Sequence, residues 1–371
     1  YHTFPKVSEK DKYAHSDILD ISSMCIDSLL TVTDANSMTS LKLLSYDNQA
    51  YVELITADSC YRLGLNPVQS SILKPTFAQI KRYASRWVDA DILRVDTLRE
   101  LDQWIPFSRL RDEFPIYKFH FDDKEKHQLY ISSKTGKAIQ FTNKENRFWA
   151  WIGAIPHWIY FTRLRQNAEL WSNLIILLAG IGCIMCISGI ILGVCSYIKQ
   201  MKKRIQWKTV YKKQLYKLHH ICGFIFGLFV FTFAFSGMMS LAKVPQWMVK
   251  VHRADIQRCI HNTVPIIPEN YKLDYRNLLN EYNGLVKSIE WSSFGDIPLY
   301  KVVIKDSMYT FDASVQEIKL LRISEEMIRN RLSKIHNETI TINQISEYDN
   351  YYIDRKARLP LPVYRVDVKD A

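Results

Sequence analysis

Two charge-free runs, Leu170–Ile198 and Ile221–Ala242, constrain this chain more than any other feature. A helix rises about 1.5 Å per residue, so about 20 apolar residues cross a bilayer core about 30 Å thick. Both runs reach that length. Between them, Lys199–Lys217 carries eight Lys or Arg residues and no Asp or Glu. Basic loops stay on the cytoplasmic side. The first helix is therefore expected to run inward and the second outward, with both large flanks, 1–170 and 243–371, outside the cytoplasm. The competing reading is a buried helical hairpin in a soluble protein, but core helices are rarely free of charge over this length.

The formal charge is +11 over 371 residues, and the basic loop supplies most of it. No basic face stands out on either flank, so nucleic acid is not an expected partner. The lipid bilayer is, with the loop against anionic headgroups. The flanks are long enough for folded cores, and Tyr, Trp, Ile and Leu are spread through them. Seven cysteines do not make a disulfide framework. Cys183, Cys186, Cys195 and Cys222 lie in or at the apolar runs, while Cys25, Cys60 and Cys259 are widely spaced and odd in number. The Cys183–Cys186 spacing matches a redox or metal motif, yet in an apolar helix small-residue packing explains it. The chain opens at Tyr1 without a signal-like run, although residues 1–170 have to be translocated, so an upstream segment is expected.

The two flanks resemble each other. With a shift of 248, Ser40, Asp58, Ser59 and Tyr61 fall on Ser288, Asp306, Ser307 and Tyr309. Ile80, Ala84, Trp87 and Ile92 fall on Ile328, Leu332, Ile335 and Ile340. After a one-residue slip the shift becomes 247, and Glu100, Asp102 and Trp104 fall on Glu347, Asp349 and Tyr351. FPIYKF then matches LPVYRV. Moved by the same shift, each apolar run lands outside the chain. The expectation is the middle of a longer protein, built from a duplicated helix–domain–helix unit, with two of four transmembrane helices present.

Each flank reads as α+β. Ile80, Ala84 and Trp87 recur at helical spacing behind Thr76 as cap, and Ser324 is placed to cap the matching helix. Tyr117, Phe119 and Phe121 alternate as a strand, a polar turn leads to a second strand at Gln128–Ser132, and Thr135–Gly136 marks another turn. Tyr300, Val302 and Ile304 alternate likewise. The expected fold class is α+β periplasmic domains plus membrane α-helices. Its divisions are a first outer domain at 1–147, an interfacial segment at 148–170, helices at 171–198 and 218–242 around the 199–217 loop, and a second outer domain at 243–371. Within the interfacial segment, Trp149, Trp151, Trp158, Tyr160 and Phe161 make an aromatic belt interrupted by Pro156.

PHWIYFTRLRQNAELW before the first helix, LHHICGFIFGLFVFTFAFSGMMS in the second, the YDNYYIDRKARLPLPVYRV block and the KTG turn resemble the PepSY-associated transmembrane family. The resemblance covers most of the chain and speaks to architecture more than activity. It implies paired PepSY domains outside the bacterial cytoplasmic membrane. Some members look like ferric-siderophore reductases with b-type haem. The PepSY unit also resembles part of metallopeptidase propeptides, which implies a non-enzymatic alternative: a tethered module that inhibits peptidases or binds envelope partners.

The residues allow such chemistry at few places. His219 and His220 sit at the inner end of the second helix, within three or four residues of Gly223, with Gly227 one turn on. Small residues admit another helix or a flat macrocycle, and imidazole is an axial ligand of haem iron. The competing reading is an interfacial histidine beside a glycine packing seam. His157 is the second candidate, against an amphipathic interface residue. A spanning helix separates it from His219, so each is expected to meet a repeat mate on a separate haem b. Arg163 and Arg165 suit haem propionates, an anionic substrate or lipid phosphate, the last being the default. His120, His127, His252, His261 and His336 show no ligand spacing, and Asp122, Asp123 and Glu125 read as a solvated turn. No P-loop, HExxH, GxSxG or dinucleotide fingerprint is present. The expected function is a haem-bearing inner-membrane oxidoreductase acting on iron or a ferric siderophore. The alternative is the non-enzymatic PepSY module with a periplasmic protein partner. A transporter subunit is weaker, because the helices hold no ionisable midplane residue.

Overall fold

The computed structural model describes residues 4–19, 38–56, 60–64, 74–202, 211–242, 266, 270–295, 297–333, 339–354 and 359–368. Before the apolar runs lie α1 (Glu9–Ala14), β1 (Met38–Tyr46), β2 (Gln49–Thr56), β3 (Cys60–Gly64), α2 (Phe77–Ser85), β4 (Ile92–Leu98), β5 (Ile116–Phe121), β6 (Gln128–Ser132), β7 (Ala138–Thr142), α3 (Lys144–Ile152), α4 (Ala154–Trp158) and α5 (Thr162–Arg165). Two long helices follow, α6 (Ala168–Lys202) and α7 (Gln214–Leu241). Beyond them come α8 (Tyr275–Glu281), β8 (Val286–Phe294), β9 (Ile297–Ile304), β10 (Ser307–Asp312), α9 (Glu325–Ser333), β11 (Ile340–Ile345) and β12 (Val363–Val368). Expectations that rest on Cys25, Asp58, Ser59, His252, Cys259, His261, Ile335, His336 or the centre of the basic loop lie outside the described residues.

The chain forms two compact units, 1–7 with 88–252 and 8–87 with 253–371. A six-stranded sheet runs β10-β9-β8-β1-β2-β3 and takes strands from both flanks. Its two halves carry the same register at an offset of 248 positions. Leu41 faces Leu54 and Leu54 faces Tyr61; Ile289 faces Val302 and Val302 faces Tyr309. The register shift between Met38 and Ser40 recurs between Val286 and Ser288. The halves meet through antiparallel β1 and β8, centred on Lys42 opposite Glu290. Leu41 faces Trp291 and Leu43 faces Ile289, so the seam maps onto itself when the halves are exchanged. The Lys42 Nζ–Glu290 Oε2 contact at its centre is 3.6 Å.

Alternate residues of this sheet fill one core, as the two-residue period of a strand requires. Leu41, Leu43, Val52, Leu54, Ile289, Trp291, Tyr300 and Val302 pack with Leu278 and Leu279 of α8. The β1–β2 hairpin closes through Asp47 (φ 54°) and Asn48 (φ 60°), the two left-handed residues of a type I′ turn. Helix α2 begins at a Thr76–Gln79 capping box and buries Ile80, Tyr83 and Ala84. Trp87 lies just past its end, still buried. Arg82 donates from both Nε and Nη2 to Asp47 and ties α2 to the hairpin. Ser324 accepts from Met327 N at 3.2 Å, as the expected cap of α9.

The other unit holds an antiparallel sheet β4-β5-β6-β7. The register shift between Ile92 and Arg94 leaves Leu93 69% exposed, and β11–β12 pairs without any shift. That bulge is where the offset between the flanks drops from 248 to 247. Asp102 accepts from Trp104 N and Ile105 N and pairs with Lys118 at 3.2 Å; Asp349 accepts from Tyr351 N and Tyr352 N and pairs with Arg365 at 3.6 Å. In the first unit Trp104, Ile105, Ile116 and Tyr130 are covered by Phe4, Ala150, Ala154 and Ile155. The aromatic segment is helical on both sides of Gly153, whose backbone (φ −104°, ψ −82°) makes the break. Pro156 therefore does not interrupt it. It sits in the first turn of α4, where its missing N–H has no partner to lose. Asp123 is not simply solvated: it accepts from Glu125 N, His127 N and His127 Nδ1.

Helices α6 and α7 each contain a stretch long and apolar enough to cross a membrane, Ala168–Lys199 and Gln214–Leu241. They extend beyond the expected 171–198 and 218–242 into polar sequence at one or both ends. Gly180 meets Met238, Ile190 meets Gly227 and Gly193 meets Phe224, so the pair is antiparallel. Outward side chains such as Ile184 and Phe233 are 67% and 75% exposed, as lipid-facing positions require.

Two consequences are measurable. Leu43, fully buried in the central strand β1, should cost about 2–5 kcal/mol when cut to alanine, read as faster hydrogen exchange across both β1 and β8. Arg82 holds the Asp47 carboxyl below its ordinary range by hydrogen bond and charge. Its stabilisation is present above the unfolded value near 3.9 and is lost as pH falls through the lower folded value. Asp47→Asn should be less stable at neutral pH and lose less on acidification, read as melting temperature between about pH 7 and 3.

Candidate functional site

The antiparallel seam of α6 and α7 is tight at one level and open at the next. A Cβ on Gly227 would stand 3.3 Å from Ile190 Cγ1, so bulk there is opposed by packing. Gly223, one turn away, and Gly189 have nothing within 4 Å of a built Cβ. Around them lies a half-open cleft of ≈ 470 Å³, lined by Gly189, Gly193, His219, His220, Gly223 and Gly227, with the exposed rings of Tyr211, Tyr216 and Phe226 at its sides.

His220 turns toward α6 and His219 does not. Consecutive helical residues lie about 100° apart, so the two rings cannot address one point. His219 is exposed and His220 half-buried. The His220 ring lies 5.2 Å from that of Tyr197 and 5.4 Å from that of Tyr211. Its Cε1 would be 3.9 Å from a Cβ on Gly193. Its Nε2 is buried and has no hydrogen-bond partner among the described residues. Such an atom costs about 1–3 kcal/mol unless something is supplied to it. The Cys183–Cys186 motif is not assembled as a pair: Cys183 is buried, while Cys186 lines the cleft with Cys222.

The remaining sequence candidates are not brought to this cleft. His157 is exposed on α4, 6.3 Å from the Trp158 ring. Arg163 and Arg165 lie on α5, before α6 begins. From Trp171 to Gly193 the helix climbs about 33 Å. Arg165 sits over aromatic rings, 4.4 Å from the Trp171 centroid.

Sequence reasoning missed the contacts made across strands. His120 Nε2 meets Asp96 Oδ2 at 2.9 Å, and Arg94 pairs with the same carboxylate at 2.8 Å. Burial holds His120 below its ordinary value, against the raising effect of Asp96. At neutral pH this contact is therefore a hydrogen bond from neutral imidazole to carboxylate. The β4–β5 register, which sets Arg94 opposite His120, creates it, and no local spacing in the sequence signals it. Among the described residues no group of three or more His, Cys, Asp or Glu forms a metal cluster.

The cleft has a lining chemically compatible with the haem that the family resemblance implies. Its walls are apolar and aromatic, open glycine faces admit a flat ring, and one buried imidazole nitrogen is without a partner. The chemistry of that donor fits an axial ligand of haem iron. Because Nε2 makes no hydrogen bond, His220→Phe should leave the thermal stability of the ligand-free protein unchanged or raise it by about 1 kcal/mol, checked by melting in detergent. A loss comparable to a broken hydrogen bond would contradict the orphaned geometry.

A family described as PepSY-associated TM region has a model that matches residues 51–270. No curated protein and no solved structure matches the chain.

Proposed function

The chain belongs to the PepSY-associated transmembrane family, and from that premise we propose that this membrane protein is a b-haem-bearing electron-transfer protein of the bacterial inner membrane, serving iron or ferric-siderophore reduction. The observation that carries the reading is the orphaned His220 Nε2 in a glycine-lined cleft between two apolar helices. Haem bound there would supply one-electron chemistry. His220 would hold it, the open faces of Gly189 and Gly223 would leave it room, and Tyr211 and Tyr216 would limit water at the mouth. His219 is the weaker candidate because its ring faces outward.

The architecture we propose is a duplicated helix–domain–helix unit with both outer domains on the periplasmic side. The shared 248 offset in strand register supports the duplication. Pairing of β1 with β8 supports a common side for the two flanks, because one sheet takes a strand from before α6 and another from after α7. His157, on α4 before α6 begins, would hold a second haem.

The test is a reduced-minus-oxidised absorption spectrum of the full-length protein in detergent, expressed with ample haem. Sharp b-type bands are expected, reduced by about half or more in His220→Ala and much less in His219→Ala. A featureless spectrum from folded protein would reject the haem reading and leave the tethered PepSY binding module as the reading to pursue by peptidase inhibition.

A further inference from the structure

At the end of α6 opposite the cleft, the Arg165 guanidinium sits in an aromatic cage, the Arg109 guanidinium lies over one ring of that cage, and among the described residues neither has an acid within ion-pair distance. Arg165 Cζ stands 4.4 Å from the Trp171 ring centroid, 5.1 Å from Phe107 and 5.3 Å from Tyr160. Arg109 Cζ stands 5.2 Å from the same Phe107 ring. Arg163, two residues before Arg165, is exposed. Among the described residues no carboxylate is within ion-pair distance of these three arginines. Glu169, one helical turn after Arg165, is exposed and makes no pair with it. Arg165 Nε is buried and has no acceptor among the described residues.

The cage is held by bonds of its own. Trp171 Nε1 donates to Trp158 O at 2.8 Å. Gln103 Nε2 donates to Tyr160 O at 2.6 Å, and Thr162 Oγ1 donates to Gln103 Oε1 at 3.1 Å. Tyr160 leans on Trp158 and Trp171 at 5.2 and 5.6 Å. The rings are thus fixed before any ligand arrives. Ring quadrupoles attract a cation but do not neutralise it. Two cations around one ring therefore leave an uncompensated positive charge and several unused N–H donors.

The place identifies the anion. Trp171 lies in the first turns of α6, where the charge-free run begins, and Trp158, Tyr160 and Phe161 form the aromatic belt found at headgroup level. The dense anion there is the lipid phosphodiester, and the planar guanidinium fork matches phosphate oxygens. We propose that Arg165 and Arg109, set among Phe107, Tyr160 and Trp171, bind the phosphodiester headgroup of an anionic membrane lipid. This site does not depend on the haem reading.

The test titrates full-length protein in mild detergent with phosphatidylglycerol or phosphatidylcholine and counts bound lipid by native mass spectrometry. Retention of phosphatidylglycerol is expected at several times that of phosphatidylcholine. Arg165→Gln should lower it about three- to tenfold and Arg165→Lys less, because lysine keeps the charge and loses the fork. Arg109→Gln, at an exposed position, carries the same test if Arg165→Gln fails to fold. Arg99→Gln, an exposed arginine outside the cage, should retain lipid as the parent does. Equal retention by the parent and Arg109→Gln would overturn the proposal. So would displacement of the lipid by millimolar inorganic phosphate, which would assign the cage to a free anion.

Discussion

The pairing of β1 with β8 sets the conditions for everything else in this chain. It hydrogen-bonds residues from the first flank to residues from the second, with α6, α7 and the basic loop lying between them in sequence. A chain that leaves a sheet, enters a hydrocarbon layer and returns to the same sheet crosses that layer an even number of times. Two helices are the smallest solution, because backbone polar groups in lipid have to be satisfied within each segment. The contacts of Gly180 with Met238 and Gly193 with Phe224 make the two apolar helices an antiparallel pair of this kind.

The seam also explains why the compact units ignore the order of the chain. Closing so long a loop costs entropy that grows only slowly with loop length. The gain is a continuous apolar face: Leu41 and Leu43 from one flank lie beside Ile289 and Trp291 from the other, all under α8. Neither three-stranded half would bury that face as well alone. Lys42 and Glu290, both partly exposed, contribute little energy at 3.6 Å. Their value is positional, since opposite charges at the centre favour this register over a one-residue slip that would turn every apolar side chain outward.

What could be read from the sequence follows from the range of each signal. The spanning helices, the Thr76 and Ser324 caps and the strand at Tyr117–Phe121 rest on neighbours within a few residues, and all appear. The offset between flanks was legible too, even to its slip, because Leu93 bulges out of β4 and β11 has no counterpart. The pairing of β1 with β8 was not legible, because strand partners hundreds of residues apart leave no local trace. The same limit hid the His120–Asp96 contact and the Arg109–Arg165 cage. Local reading also misjudged Pro156, since a proline in a first turn is compatible with helix and the break belongs to Gly153. Among the candidate residues, periodicity kept His219 and His220 level; only the facing helix separates them, by taking one ring and leaving the other outside.

Both ends of α6 hold a polar group at a disadvantage. At one end a guanidinium is caged by rings without an acid; at the other an imidazole nitrogen is buried without a donor or acceptor. Low dielectric makes each more costly than it would be in water. Neither cost is forced by the fold. A leucine in place of Gly193 would fill the cleft, and a carboxylate near Arg109 would neutralise the cage. The seam shows that tight packing is available to this helix pair, because Ile190 against Gly227 achieves it one turn away. An open cleft beside a closed one, and a fixed cage with unused donors, are therefore arrangements that leave room for something else. Their chemistries differ, a nitrogen lone pair in apolar walls at one end and two cations over one aromatic ring at the other, about 33 Å of helix apart.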